Sequence, residues 1–370
     1  MPRQFHFQFG SCPSTVSIGE EVPRLIQELS RLLGYNLYRQ ALAVCDENTA
    51  AFARGIFCGP DNAPETVRLL TLAAGEENKC WAAVESIIRA AQEAGLGRDG
   101  LFIGIGGGVI CDLTAFAASV YMRGAPLALI PTTLLCMADA ALGGKTGFNT
   151  GGIKNLAGSF YPAQSIVIAS EALGSLPQRE WKSGMAELIK TAIIDKDPVF
   201  FNELMQLNPA LPPEAPQQFL PFIEKALLLK GRIVKNDPEE KAEGGRATLN
   251  LGHSFGHALE SALIPGTVTH GEAVAWGIAR ACELGLELGV TPGPRAAAIK
   301  QILTVWGFDT SLDLLKKTEA GKFSAALLLD KKKKAGRLRF VVPADTGVVM
   351  AEENETCMKY INMLIKESES

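Results

Sequence analysis

The stretch Leu101-Phe-Ile-Gly-Ile-Gly-Gly-Gly-Val-Ile-Cys-Asp112 joins an apolar run to the start of a helical pattern through three consecutive glycines. The apolar run predicts a buried strand, and the glycines let the backbone approach a pyrophosphate at the N-terminus of a helix. A dinucleotide is the natural ligand of such a turn. Since the G-x-G-x-x-G spacing is met only loosely, a tight strand-to-helix turn without a ligand is the alternative for this segment alone.

A similar pattern of short apolar runs and helical segments extends through the first half of the chain. Apolar runs at 41–45, 127–130 and 165–169 predict further buried strands, and residues 79–94 have a helical apolar period. The first nine residues alternate like a strand. Strands that alternate with helices predict a mainly parallel sheet with its ligand at the carboxyl ends of the strands.

The second half of the chain is mostly helical in pattern, and we expect two domains, an α/β domain at 1–172 and an all-α domain at 173–370. Residues 208–216 are rich in proline and predict a loop, and residues 337–343 predict one late strand. The helical patterns cover 178–195, 198–206, 216–236, 252–264, 271–289, 293–306, 323–328 and a last segment from 353.

The charge and composition of the chain argue against several classes of function. A net charge of −4 gives no reason to expect nucleic acid or an anionic membrane surface as a partner. No run of eighteen apolar residues and no signal-peptide pattern is present, which predicts neither a membrane span nor export. The eight cysteines form no C-x-x-C pair, which is typical of reduced thiols in a cytoplasmic protein.

Three of the four histidines fall within eighteen residues, at His253, His257 and His270. The spacing of four between the first two places both rings on one face of a helix, and such a cluster predicts a metal site. The alternative is a set of packing or capping histidines. A zinc protease is excluded because Ser254 stands where its catalytic glutamate would be. Glu187, on a predicted apolar helix, is a candidate carboxylate ligand or a half-exposed helical residue.

A second glycine-rich stretch, Gly143-Gly-Lys-Thr146, lacks the first glycine of a Walker sequence, because Asp139 occupies that position. A nucleoside triphosphatase is therefore disfavoured. Several cations lie beside polar or glycine-rich positions, which favours a small polyanionic substrate, with solvated surface lysines as the alternative. They are Lys145, Lys154, Lys190, Lys230 and Arg246, and the run 331–334 is more typical of a solvated face.

Taken together, these segments resemble the 3-dehydroquinate synthases of the sugar phosphate cyclase superfamily. The resemblance covers about residues 40–345 in order. It is carried by the motifs Gly-Gly-Gly-Val-Ile-Cys-Asp at 106–112, Tyr-Met-Arg-Gly at 121–124, Pro-Thr-Thr-Leu-Leu at 131–135, Gly-Gly-Lys-Thr-Gly at 143–147, Lys-Asn at 154–155, Met-Ala-Glu-Leu-Ile-Lys at 185–190, Leu-Asn-Leu-Gly-His-Ser-Phe-Gly-His at 249–257 and His-Gly-Glu-Ala-Val-Ala at 270–275.

The resemblance implies a Rossmann-like N-terminal domain with NAD, a helical C-terminal domain with Zn²⁺ or Co²⁺, and an active site in the cleft between them. It implies Glu187, His253 and His270 as metal ligands, with His257 as a nearby polar group. The implied NAD contacts are Asp46, Asn48, Glu76, Lys79, Gly106, Gly107, Gly108, Asp112, Thr132, Thr133, Lys145 and Lys154. The implied substrate positions are Asp139, Lys145, Asn155, Lys190, Lys230, Arg246, Asn250, His257 and Lys331, with Arg123 reaching the site of a partner subunit in a homodimer.

The implied reaction belongs to the shikimate pathway. It converts 3-deoxy-D-arabino-heptulosonate 7-phosphate to 3-dehydroquinate and phosphate by transient oxidation, phosphate elimination, re-reduction and intramolecular aldol closure. The alternatives are a cyclase acting on sedoheptulose 7-phosphate, a metal-dependent dehydrogenase of the glycerol dehydrogenase kind, and a non-catalytic scaffold. Residues 149–153 look like an insertion, and Ala140 and Ala141 stand where the family commonly has serines.

Overall fold

The computed structural model describes residues 3–22, 40–57, 67–241, 245–333 and 338–369, and of residues 329–333 it describes the backbone alone. The described chain forms two compact units. Unit 1 comprises the described residues of Met1–Pro177 and Pro212–Glu239, and unit 2 those of Gln178–Leu211 and Glu240–Ser370. No helix of the described residues is both long and apolar enough to cross a bilayer.

The strands are β1 (Arg3–Phe9), β2 (Cys12–Gly19), β3 (Ala41–Asp46), β4 (Val67–Leu72), β5 (Leu101–Gly106), β6 (Leu127–Pro131), β7 (Lys145–Thr150), β8 (Ile153–Phe160), β9 (Ser165–Ala169), β10 (Arg339–Pro343) and β11 (Val348–Glu352). The described α-helices are α1 (Ala50–Phe57), α2 (Trp81–Glu93), α3 (Gly108–Val120), α4 (Gln178–Ile194), α5 (Pro198–Gln206), α6 (Leu220–Asn236), α7 (His253–Ala262), α8 (His270–Glu287), α9 (Gly293–Val305), α10 (Lys322–Lys333) and α11 (Glu355–Glu369).

Unit 1 is built on a seven-stranded sheet with the order β1-β2-β9-β6-β5-β3-β4. Every neighbouring pair is parallel except the edge pair β1–β2. Strand β4 follows β3 on one side, whereas β5 lies on its other side, so the strand order reverses between β3 and β5. Ligands of open α/β sheets bind at the carboxyl ends of the strands at such a switch point, which here lies beside Asp46 and Gly106. The predicted parallel sheet is confirmed.

A separate two-stranded antiparallel sheet, β7–β8, covers α3. The sequence pattern gave no strand here, and residues 149–153 looked like an insertion. In the structure these residues form the end of a β-hairpin, with Gly151 and Gly152 at φ +60° and +76° in the turn. Close packing explains the glycines elsewhere in the hairpin, because a Cβ on Gly158 would overlap the carbonyl oxygen of Thr146.

Helix α6 packs in unit 1, where it contacts β1, β2 and the π-helical turn Cys136–Ala140. A Cβ on Gly231 would overlap the ring of Phe7, so this helix lies directly against the first strand. Arg3 also forms an ion pair with Glu224 of α6. Residues 212–239 therefore belong to the unit that contains the sheet, so the division into two units differs from the expected boundary at 172/173.

Unit 2 is helical, as predicted, apart from the antiparallel pair β10–β11. Its centre is formed by α4, α7 and α8, which approach one another closely at glycines. A Cβ on Gly271 would overlap the backbone of Ser183 in α4, and a Cβ on Gly277 would overlap the carbonyl oxygen of Gly252 just before α7. These approaches bring the N-terminal halves of α7 and α8 and the middle of α4 together.

Candidate cofactor and metal sites

The turn between β5 and α3 forms a bare backbone cradle. Gly107 precedes α3 in an extended conformation and, having no side chain, leaves the first turn of the helix open to an anion. An added Cβ would lie 2.7 Å from Cβ of Ile110 at Gly106 and 3.1 Å from Cγ2 of Thr133 at Gly107. Glycine is therefore required for packing as well as for approach, and this geometry fits a pyrophosphate.

The end of β3 is fixed beside this turn by Asp46 and Thr49. Asp46 Oδ1 accepts hydrogen bonds from the backbone N–H and the hydroxyl of Thr49, at 2.9 and 2.8 Å. The Thr49 hydroxyl lies 3.1 Å from the carbonyl oxygen of Ile105 in β5. Asn48 is exposed in the intervening turn. The carboxylate therefore lies at the topological switch point, where a ribose hydroxyl would be bound.

Lys79 is buried and is held by two side chains from other elements. Its Nζ donates to Asp112 Oδ2 of α3 at 2.5 Å and to Asn155 Oδ1 of β8 at 2.6 Å. Burial raises the pKa of the Asp112 carboxyl, and the Lys79 ammonium partly offsets that rise. The structure thus joins two implied NAD contacts with Asn155, which was an implied substrate position.

One residue of this cluster was assigned no role by the sequence analysis. Asn149 donates from Nδ2 to Glu76 Oε1 at 2.8 Å, and its Oδ1 accepts the backbone N–H of Asn155 at 2.8 Å. Its place at the start of an apparent insertion concealed this role. The position of Asn149 six residues before Asn155, on the facing strand of a hairpin, would have been the signal.

Lys230 of α6 is buried and binds the π-helical turn Cys136–Ala140. Its Nζ donates to Oδ1 and to the backbone oxygen of Asp139, at 2.7 and 2.6 Å. Thr132 is buried at the end of β6 and donates its N–H to the carbonyl oxygen of Gly106. Lys145 and Lys154 are exposed on the hairpin. All these residues belong to unit 1.

The metal candidates meet in unit 2. The rings of His253 and His257 lie 5.1 Å apart on α7, and single nitrogen atoms of His253, His257 and His270 all lie within 4.8 Å of one another. Glu187 Oε1 of α4 lies 3.8 Å from Nε2 of His253 and 3.6 Å from Nε2 of His270. Imidazole nitrogen and carboxylate oxygen are donors that zinc and cobalt accept, so this set fits a divalent metal ion.

Electrostatics distinguish the two histidines closest to Glu187. Burial, reinforced by the Lys190 ammonium, holds the pKa of His253 well below its usual value, so the ring is neutral. Its Nδ1 lies 3.1 Å from the carbonyl oxygen of Leu251, which leaves Nε2 as the ligand atom. Burial opposes the charge on His270, but Glu187 and Glu260 outweigh it and raise the pKa of this ring to about 9.

Other implied substrate residues of unit 2 are placed as follows. Lys190 is fully buried, with Nζ 2.5 Å from Oε2 of Glu187. Arg246 is buried on the 3₁₀ helix Arg246–Asn250, and Asn250 Nδ2 donates to Glu240 Oε1 at 2.7 Å. Lys331 lies in α10, and its side chain is outside the described residues, as is Lys334.

Comparisons with known proteins agree with this architecture. The chain matches the 3-dehydroquinate synthase N-terminal family model at residues 69–183 and the C-terminal model at residues 184–333. It is 37% identical over 341 residues to the 3-dehydroquinate synthase of Xanthomonas oryzae pv. oryzae (strain PXO99A), with 90% of each chain covered.

Two solved structures show the fold. A 2-deoxy-scyllo-inosose synthase complexed with carbaglucose-6-phosphate, NAD+ and Co2+ has a TM-score of 0.84 at 24% identity, covering 99% of this chain and 100% of the other. The 2-epi-5-epi-valiolone synthase from Streptomyces hygroscopicus subsp. jinggangensis, with NAD+ and Zn2+ bound, has a TM-score of 0.82 at 23% identity, with 96% of both chains covered.

The fold class is therefore that of these two synthases, and in this chain the α/β unit carries a glycine turn and the helical unit a histidine–carboxylate cluster. Within that class, the family models and the identity to curated relatives settle the membership. The chain belongs to the 3-dehydroquinate synthase family.

Proposed function

We propose that this protein converts 3-deoxy-D-arabino-heptulosonate 7-phosphate to 3-dehydroquinate and phosphate. The observation that carries the proposal is the pairing of a glycine cradle with a Glu187–His253–His270 cluster in one chain of this family. The reaction is a phosphate-eliminating cyclisation in the shikimate pathway. It needs an oxidation that is reversed within the same turnover.

NAD is the proposed oxidant, and when bound it supplies a reversible hydride acceptor. The cradle at Gly106, Gly107 and Gly108 would hold its pyrophosphate at the N-terminus of α3. Asp46 would bind a ribose hydroxyl at the end of β3. The remaining proposed contacts are Asn48, Glu76, Lys79, Asp112, Thr132, Thr133, Lys145 and Lys154.

Glu187, His253 and His270 are the proposed ligands of Zn²⁺ or Co²⁺, which when bound supplies a Lewis acid for a substrate hydroxyl. Three protein ligands leave open positions for substrate, as a catalytic site requires. His257 is an exposed member of the cluster and the proposed neighbouring polar group. If His257 were a ligand instead, replacing it would lower metal affinity as strongly as replacing His270.

The substrate carries a carboxylate and a phosphate, and the proposed contacts are accordingly mostly cationic. Asp139 holds the side chain of Lys230, and Glu187 holds that of Lys190, so each ammonium group is oriented before substrate binds. Arg246 would supply a planar fork for an anionic oxygen pair. Asn155, Asn250 and Lys331 complete the proposed set. Positioned cations of this kind stabilise the negative charge of the departing phosphate.

A homodimer is proposed, with Arg123 reaching the partner's site. Met122 and Arg123 are exposed and adopt φ values of +48° and +68°, which non-glycine residues rarely do. The loop is tied by hydrogen bonds from Tyr121 to Leu96 and from Tyr161 to Ala125, at 2.8 and 2.7 Å. A rigid, displayed arginine suits a contact with a second copy. The seven described cysteines are free, which supports a reducing, cytoplasmic compartment.

The test is phosphate release by the purified protein with NAD and Zn²⁺, offered 3-deoxy-D-arabino-heptulosonate 7-phosphate and sedoheptulose 7-phosphate separately. The absorbance of reduced NAD is followed in parallel. We expect release from the first substrate alone, without net reduction of NAD. Release from the second substrate would identify a neighbouring cyclase, and steady accumulation of reduced NAD would identify a dehydrogenase.

The dimer has its own test, in which two inactive variants are mixed. The Arg123→Ala variant lacks the arginine that would reach the partner's active site, whereas the Lys230→Met variant lacks a lysine of its own active site. One of the two sites in a mixed dimer is then intact. We expect mixing to restore roughly a quarter of wild-type activity. No recovery in a preparation shown to contain mixed dimers would overturn the assignment of Arg123.

A further inference from the structure

Asn149 joins two loops of unit 1 with every polar atom of its side chain. Its Nδ2 donates to Oε1 and to the backbone oxygen of Glu76, at 2.8 and 3.2 Å. Its Oδ1 accepts the backbone N–H of Asn155 at 2.8 Å, and its own N–H donates to the carbonyl oxygen of Lys79 at 2.7 Å. One residue thus fixes both ends of the turn 76–79 and one strand of the hairpin.

The conformation of Asn155 depends on this contact. Asn155 has φ +50°, a left-handed conformation that costs a non-glycine residue free energy unless its surroundings hold it. The Asn149 oxygen binds its N–H, while its own Oδ1 accepts from Lys79 Nζ at 2.6 Å. The backbone and the carboxamide of Asn155 are therefore set together.

The two ends of the hairpin differ in exposure and packing. Residues 150–154 are exposed, and a Cβ on Gly151 or Gly152 would meet no atom within 4 Å. At the other end, Tyr161 N–H donates to the carbonyl oxygen of Gly144, and the strands pack closely at Gly158. Asn149 thus lies where the packed part of the hairpin meets its exposed turn.

We propose that Asn149 is a positioning residue of the dinucleotide site, which holds the turn 76–79 and the β7–β8 hairpin in one arrangement before NAD binds. The inference rests on the NAD site proposed above. Asn149 acts through Glu76, Lys79 and Asn155, and it need not touch the cofactor itself. Such preorganisation strengthens binding because the loops lose less conformational freedom when the ligand arrives.

The first test is Asn149→Ala, with NAD affinity measured by calorimetry on the purified full chain. We expect affinity to fall roughly ten- to hundredfold, with KM for NAD rising more than kcat falls. Thr150→Ala is the matched control, because Thr150 is the exposed next residue of the same strand. Unchanged Zn²⁺ affinity shows that the helical unit is folded, and an unchanged cooperative unfolding transition shows the same for unit 1, which carries Asn149.

A second variant gives a signature that loss of structure would not. Asn149→Asp keeps an acceptor for Asn155 but puts a carboxylate where Nδ2 lies 2.8 Å from Glu76 Oε1. Two carboxylates so close bind a shared proton on acidification. The Lys79–Asp112 ion pair lies beside this contact, and the charge of Lys230 also acts on Asp112. We expect the NAD affinity of this variant to recover between about pH 8 and about pH 5.5, with no such gain in the wild type.

The outcomes separate this inference from the proposed function. Wild-type NAD affinity in Asn149→Ala, or a flat pH profile in Asn149→Asp, would overturn the positioning role while the NAD site stands. A wild-type protein that does not bind NAD would overturn the site and this inference together.

Discussion

Oε2 of Glu260 lies 3.6 Å from Nδ1 of His270. The two residues belong to adjacent helices, and Glu260 is mostly buried, so the carboxylate directs the ring and leaves Nε2 facing Glu187. Carboxylates behind a ligating histidine fix its tautomer and raise its basicity in many metal sites. Glu260 is therefore the residue that would orient His270 in the proposed metal site, although it is not itself a proposed ligand.

Glu260→Gln should lower Zn²⁺ affinity by about ten- to hundredfold, because the amide cannot accept the Nδ1 proton with the same strength. Competition with a chelating dye measures the affinity. Glu287→Gln, an exposed change near the end of α8, is the control and should leave the affinity unchanged. Equal affinity in both variants would contradict the orienting role.

Metal binding should depend on pH with a defined sign. His270 has a pKa of about 9 in the metal-free protein and must lose its proton to ligate, whereas His253 is already neutral. Below pH about 9, binding should release close to one proton, and affinity should rise with pH. Calorimetry in buffers of different ionisation enthalpy measures the release. Proton-independent binding would exclude His270 as a ligand.

The same pKa makes an opposite prediction for the metal-free fold. The folded value of about 9 lies above the ordinary value of 6.5, so the protonated ring stabilises the fold. This stability is fully present below about pH 6.5 and is lost as pH rises through about 9. Urea unfolding of the apoprotein at several pH values should show the decline, and His270→Gln should reduce it.

Lys79→Met should weaken unit 1 as well as NAD binding. It leaves the Asp112 carboxylate buried without its partner at 2.5 Å, a loss of about 3–5 kcal/mol in unfolding free energy for a buried pair. Adding Asp112→Asn to Lys79→Met should recover part of this stability, because no orphaned charge is then buried. Chemical denaturation measures both. A double variant less stable than Lys79→Met would contradict the pairing.

Gly271→Ala, which lies next to the proposed ligand His270, should lower Zn²⁺ affinity without changing any ligand side chain. The new methyl group would overlap the backbone of Ser183 and push α8 from α4, which carries Glu187. Gly293→Ala is the control, since a Cβ there meets nothing within 4 Å and alanine favours the helix. We expect reduced affinity and thermal stability in the first variant and neither in the second.

The buried strands and the helices were predictable because each carries its own period. The runs at 41–45, 101–105 and 127–130 lie within one or two residues of the observed strands, and the pattern at 178–195 ends one residue beyond α4. These elements are buried on the faces that their apolar residues define. Local composition therefore determined them before any tertiary contact was known.

The hairpin and the path of α6 were not predictable for the converse reason. Most of strand β8 is exposed, including Ile153, Leu156 and Phe160, and its pairing with β7 depends on backbone approach at Gly147 and Gly158 rather than on a buried apolar face. The sequence pattern of helix α6 is like that of its helical neighbours, and it is assigned to the sheet by long-range contacts such as that of Gly231 with Phe7. Contacts so distant in sequence leave no periodic signal. Likewise, the shared motifs implied Asn155, but not its bond to Lys79.

The return of α6 to the sheet bears on how the chain matures on the ribosome. Strand β1 and the turn with Asp139 are synthesised long before Lys230 and Gly231, which complete their packing. The α/β unit can therefore complete its packing only after about a third of the helical segment has been translated. A stalled chain released at residue 177 would expose the face that α6 covers. Neither unit is one continuous stretch of polypeptide, so truncation at a single point would not yield either as a complete domain.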